Sequence, residues 1–214
     1  MDARQQKTLA RLSAAVLDLA TRGPVTEVTV SALAAAAGVH RSTVYEYAPS
    51  PAGLLERVLR SELDALRAQY LVDVEPADAA AAVIDVTRAV LRHVDEHDTI
   101  YRRGLGPESG EASLHPMLSA HFQGSVELLL EQHSLAVPAS DDTDRHAIAR
   151  YLADGTIGAI DVWLTRPRPR DVDAFLALVG RLTPAWWPGA PVEGAEVEGA
   201  ATEGAAAEGA EAAG

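Results

Sequence analysis

Within seven residues the chain sets out Arg41, Ser42, Thr43, Tyr45 and Tyr47, a run of hydrogen-bond donors that includes one cation. Donors at helical spacing suit phosphate oxygens and the edges of base pairs. An arginine can fork onto guanine O6 and N7, and tyrosine or serine hydroxyls can donate to phosphates. The stretch just before them gives the run its setting. Thr29 can cap a short helix rich in small residues (Leu33, Ala34, Ala36, Ala37), which ends where Gly38 can take the sharp turn. Val39 would tuck back under that turn, and a second helix over His40 to Tyr47 would follow. Helix, glycine turn and polar second helix form the layout of a DNA-reading helix-turn-helix. The candidate DNA contacts are Thr29, His40, Arg41, Ser42, Thr43, Tyr45 and Tyr47. For Tyr45 and Tyr47 the competing role is packing in a small core. Glu46 brings a carboxylate to the same helix, where phosphate repels it unless it accepts from a cytosine amine.

A second group of residues can hold a small molecule. His93, His97, Tyr101, His121 and Tyr151 can each donate and accept hydrogen bonds, while Met117, Phe122 and Trp163, with Val90, Val94 and Leu118, offer apolar surface. His93 and His97 stand four residues apart and could present two metal ligands on one helix face, with His115, His121 or Glu127 as a third from elsewhere. A ligand pocket is the expected use, and neither a metal nor a cofactor is expected. No glycine-rich phosphate loop, nucleophile elbow or carboxylate pair is present, so no enzyme is expected; Asp141-Asp142 reads as a helix cap.

The elements that must position these residues read as helices throughout. Leu9, Leu12, Val16 and Leu19 stripe a first helix over 4–22, which Gly23-Pro24 stops. Ser50 caps a long helix starting at Pro51, with Leu55, Val58, Leu59, Leu63, Leu66 and Tyr70 on one face. Further helices are expected from Pro76, over 99–104, over 116–133, over 142–164 with Ile148, Leu152, Gly155, Ala159 and Trp163 on one face, and over 171–182. No segment alternates like a strand. The fold class is all-α, a helix-turn-helix domain over 1–50 followed by a helical ligand-binding and dimerisation bundle over 51–187. Residues 188–214 repeat Glu-Gly-Ala without a basic residue and read as a disordered acidic tail.

Composition limits the remaining possibilities. The 214 residues contain no cysteine, which removes disulfides and thiolate metal sites. No apolar run reaches bilayer length and the first residues are not a signal peptide, so a cytoplasmic protein is expected, without a membrane partner. The net charge of −13 is unevenly spread: residues 1–70 carry eight basic and seven acidic side chains, and 71–214 carry ten and 24. The acidity thus lies away from the proposed reading head.

Several of these residues form a pattern that resembles the TetR (tetracycline repressor-like) family of one-component bacterial transcription regulators. It runs through Ala14, Ala15, Leu19 and Gly23, then Thr29-Val30, Leu33-Ala34, Ala37-Gly38-Val39, Thr43-Val44-Tyr45 and Leu54, within residues 9–60. Asp154 to Gly158 with Trp163-Leu164 is similar to the family's penultimate helix, at its dimer interface. The resemblance implies base reading by Arg41, phosphate-facing or supporting positions for Thr43, Tyr45 and Tyr47, and a homodimer on palindromic double-stranded DNA. It also implies a small-molecule effector that releases the operator. The chain departs from the pattern at Ala48, where an aromatic is usual, and at Pro51, where a lysine is usual. The alternative is a helical ligand-binding or interaction protein of the same fold with weakened or lost DNA binding.

Overall fold

The computed structural model describes residues 3–107, 109–132, 137–139 and 141–187. Among them are nine α-helices and no strand: α1 (Ala3–Arg22), α2 (Val30–Ala37), α3 (Arg41–Tyr47), α4 (Pro51–Leu71), α5 (Ala79–Glu96), α6 (Asp98–Leu105), α7 (His115–Glu131), α8 (Asp142–Leu164) and α9 (Val172–Leu182). The acidic-tail reading falls on 188–214, outside the described residues.

Local chemistry sets the helix ends. The Thr29 hydroxyl accepts from Ala32 N at 3.1 Å, and Ser50 Oγ accepts from Gly53 N at 3.1 Å. Asp141 and Asp171 cap α8 and α9 in the same way, at 2.9 Å each. Such caps satisfy backbone donors that have no partner in the first turn and contribute about 1 kcal/mol each. Gly38 ends α2 at φ +59°, with Val39 N donating to Ala34 O and Gly38 N to Ala35 O. That pair of bonds is the left-handed stop that glycine makes without steric cost. α3 begins at Arg41 rather than His40, because His40 is the cap residue and its Nδ1 accepts from Ser42 N at 3.4 Å.

A main apolar core runs from the head into the body, and a smaller cluster of Leu71, Val83 and Leu129 lies beside it. Leu12, Val16, Leu33 and Val44 from α1 to α3 meet Leu54, Leu55 and Val58 near the start of α4. α4 has 21 residues and so extends about 30 Å, carrying the core onward to α5 and α7. Leu91, Val94, Tyr101, Leu118, Ile160 and Phe175 continue the main core into the body. α8 buries Ala149, Ala153, Ile157, Ile160 and Trp163; Trp163 is where it was expected, whereas the rest of the stripe lies one or two positions on from the expected Ile148, Leu152, Gly155 and Ala159. The small side chains Ala149 and Ala153 let α7 lie closely along α8. Gly155 is exposed, and neither it nor Gly158 has another atom within 4 Å of where a Cβ would stand.

Arg170 closes the body. Its side chain is 3% exposed and pairs with Asp95 of α5 and, at 2.9 Å, with Asp98 of α6. It also donates to Leu164 O at 2.7 Å and Arg166 O at 3.0 Å, and lies 5.4 Å from the Trp163 ring centre. One guanidinium therefore ties α5, α6 and the α8–α9 connection together.

Candidate functional site

The second helix of the helix-turn-helix presents a polar outer face. Arg41, Ser42, Tyr45 and Glu46 are exposed, while Val44 is wholly buried and anchors α3 to the core. Arg41 has no ion pair among the described residues, so its five donors remain available. Thr43 is half-buried. His40 Nδ1 faces Ser42 Oγ at 2.9 Å. With Nδ1 accepting from the backbone, the ring proton sits on Nε2, a donor. Tyr45 is 55% exposed. Tyr47 is set differently: it is half-buried, its hydroxyl donates to Gln5 O at 3.2 Å, and Arg57 donates to its carbonyl at 2.7 Å. It braces α3 against α1 and α4. Thr29 is exposed, with its hydroxyl oxygen used as the α2 cap.

The turn is braced from α1. Arg11 Nη2 donates to Gly38 O at 2.6 Å, and a Cβ on Gly38 would collide with that nitrogen. On the other side of the head, Arg103 of α6 donates to Ala20 O at 2.7 Å and Thr21 O at 3.3 Å. A cation on the last carbonyls of a helix is favoured by the helix dipole and satisfies acceptors that have no partner within the helix. The contact makes α6 the element of the body that touches the end of α1.

A cavity of about 380 Å³ lies between α5, α7, α8 and α9. Val83, Val90, Leu129, Leu152, Ile160, Leu176 and Val179 give it apolar walls. Its hydroxyls are already committed as donors: Thr87 to Val83 O, Ser125 to His121 O and Thr156 to Leu152 O. Arg88 and Asp173, both in the lining, pair across α5 and α9 at 2.8 Å. His121 is buried, and burial, with Arg67 nearby, lowers its pKa and keeps it neutral. Its Nδ1 donates to Asp64 Oδ1 at 3.1 Å, which leaves Nε2 as an acceptor. Such a chamber offers acceptors and apolar surface, with its only full charges paired.

Of the residues named from sequence for a pocket, Val90, His121 and Phe122 line this cavity. Met117 and Trp163 are buried in the core, and Tyr151 is 75% exposed on α8. His93, His97 and Tyr101 come together, away from the cavity lining. His93 Nε2 lies 2.8 Å from the Tyr101 hydroxyl, and the His93 and His97 rings meet edge-on with centres 4.9 Å apart. The wall supplied by α9 was not foreseen. Its stripe of Phe175, Leu176, Val179 and Leu182 reads as packing, and only the position of α9 across α5 turns Leu176 and Val179 towards a cavity.

A head with a donor-lined second helix, joined through one core to a hollow helical body, defines a DNA-binding regulator with a separate ligand-sized chamber. Residues 12–58 match the bacterial regulatory proteins of the tetR family. The match covers the head, which is thus similar to the DNA-binding domain of tetR-family regulators. Solved structures share the whole fold. A tetR-family transcriptional regulator from Streptomyces coelicolor is 24% identical, with a TM-score of 0.54 over 86% of this chain and 85% of that one. A fatty acid degradation regulator, FadR, from Bacillus halodurans is 16% identical, with a TM-score of 0.57 over 82% and 93%. The Thermus thermophilus FadR repressor, solved with lauroyl-CoA, is 22% identical, with a TM-score of 0.51 over 86% and 95%. Comparison by sequence with curated proteins gives no match. No helix of the described residues is long and apolar enough to cross a membrane.

Proposed function

We propose that the chain is a one-component regulator that binds a palindromic operator as a homodimer and leaves it when a small molecule fills the body. The observation that carries this reading is the continuity of the molecule. The exposed Arg41 face sits on a head whose core is shared with the walls of the 380 Å³ cavity. A ligand that favours one packing of α5, α7, α8 and α9 would move α6, and with it the Arg103 contact on α1. It can release DNA only by its difference in affinity between the two arrangements. The cavity fits a neutral or weakly polar molecule. In this reading the protein works in the cytoplasm and catalyses no reaction.

Arg41 is the base-reading residue in this account. Arg41→Ala is expected to weaken binding to the preferred operator by about 1–3 kcal/mol and relax preference at one position of each half-site. Titration of both proteins against the operator and its single-base variants reads both effects. If neither affinity nor preference changes, Arg41 does not read bases. A second reading has one observation in its favour. Glu46 is exposed on the same helix, and the head carries little net positive charge to offset it. It describes a ligand-binding protein whose head holds DNA only weakly, and the same titration separates the two.

Dimerisation would use the outer face of α8. Tyr151, Gly155, Gly158 and Val162 recur along it, all exposed, and Leu182 on α9 is 67% exposed. Large apolar side chains beside bare glycine surface suit close approach by a second copy with two-fold symmetry. Among the described residues nothing outside α8 lies within 4 Å of a Cβ at Gly155, so Gly155→Trp is expected to leave the monomer fold intact and weaken the dimer at least 10-fold. Sedimentation equilibrium measures it. A variant that stays as dimeric as the parent places the interface elsewhere.

A further inference from the structure

Where α4, α5 and α6 meet, Glu62 of α4 faces His93 of α5 and His97, the residue just past the end of α5. One donor atom from each of the three lies within 4.8 Å of the other two. Glu62 Oε2 stands 3.3 Å from His97 Nε2 and 3.7 Å from His93 Nδ1. That oxygen is buried and accepts no hydrogen bond from either ring. A carboxylate oxygen withdrawn from water without a donor is costly, and a cation between the three groups would satisfy it. With metal–ligand bonds of about 2.1 Å, the donors of a tetrahedral zinc site are about 3.4 Å apart. The two measured Glu–His separations fall on either side of that value.

The surroundings favour the same use. With its proton on Nε2, His93 donates to the Tyr101 hydroxyl at 2.8 Å and turns the Nδ1 lone pair towards Glu62. A hydrogen bond on the far nitrogen is how metal-bound imidazoles are commonly oriented. The group is also reachable, since the Glu62 side chain is 41% exposed and that of His97 21%.

We propose that Glu62, His93 and His97 form a site for one divalent cation of the zinc class, with a further coordination position left for water or a ligand. Two imidazoles and one carboxylate favour zinc or its borderline neighbours over magnesium and calcium, which take oxygen donors. A bound cation would pin α4, which starts directly behind the head, to α5. Any effect of this on operator binding rests on the regulator reading; the site itself does not.

The test uses the full chain without a histidine tag, stripped with chelator and titrated with Co²⁺ in the absence of DNA. The expected result is a visible d–d absorption that saturates at one Co²⁺ per chain and is displaced by Zn²⁺. Glu62→Gln and His97→Ala, both at partly exposed positions, should each weaken binding at least 100-fold. Tyr101→Phe should weaken it less, about 10-fold as for a residue supporting a ligand. His146→Ala, at an exposed position outside the cluster, should bind as the parent does, and circular dichroism verifies the fold of each variant. The proposal is overturned if the parent gives no saturable band at tens of micromolar Co²⁺. It is equally overturned if Glu62→Gln and His97→Ala bind as the parent does. Because DNA is absent throughout, failure here leaves the regulator reading untouched.

Discussion

Arg170→Ala is expected to destabilise the chain by about 3 kcal/mol, the largest loss available from a single polar side chain in the body. The guanidinium is almost wholly enclosed, and its removal leaves Asp98, itself only 17% exposed, beside a void with no counter-charge. The carbonyls of Leu164 and Arg166 lose their side-chain donor in the same step. Asp95 is 35% exposed, so water screens part of that pair and it adds less. Arg170→Lys keeps the charge but cannot reach two carboxylates and two carbonyls together, so its loss is expected to be intermediate. Urea unfolding followed by circular dichroism measures both. A loss below about 1 kcal/mol for the alanine variant would mean that packing, not this cation, holds α5 and α6 to the α8–α9 connection.

Gly38→Val should cost about 2–3 kcal/mol, felt first in the head. Position 38 lies at φ +59°, where a side chain costs about 1–2 kcal/mol and a β-branched one fares worst. The new side chain would also push Arg11 away from its bond to Gly38 O, worth about another 1 kcal/mol. Since α2 and α3 hinge on this turn, operator affinity should fall more steeply than global stability. Gly38→Asn tolerates the left-handed region, but its Cβ also meets Arg11, so it should lose about 1 kcal/mol, less than the valine variant. Denaturation and operator titration of both variants measure this. A valine variant as stable and as tightly binding as the parent would show that the turn is not needed in this form.

How far these features were legible in the sequence follows from how local their causes are. Thr29, Gly38 and Ser50 each act on backbone within three or four residues, and the structure has each doing what its chemistry predicts. The burial of α8 was less legible. Its turns are filled by alanine and glycine, which leave the apolar periodicity nearly flat, so the buried stripe before Trp163 lies one or two residues from the expected one. The histidines were visible as a pair, but their carboxylate partner was not. Glu62 stands 31 positions from His93, and no spacing rule connects a residue on α4 to two at the end of α5. One signal was present: Glu62 borders the stripe of Leu59, Leu63 and Leu66, where a carboxylate needs a partner from the neighbouring helix. The cavity has the same character, since it depends on how α9 lies across α5.

The claim that matters most is that the exposed face of α3 reads DNA in two copies, and selection from a random pool of duplexes tests it most directly. Purified full chain, captured with its bound DNA at low salt and sequenced over successive rounds, should enrich palindromes whose half-site centres lie about 10 bp or a multiple of that apart. The parallel selection with Arg41→Ala should lose preference at one position in each half-site. A pool from which the parent enriches no sequence, even at low salt where phosphate contacts are strongest, would contradict the account.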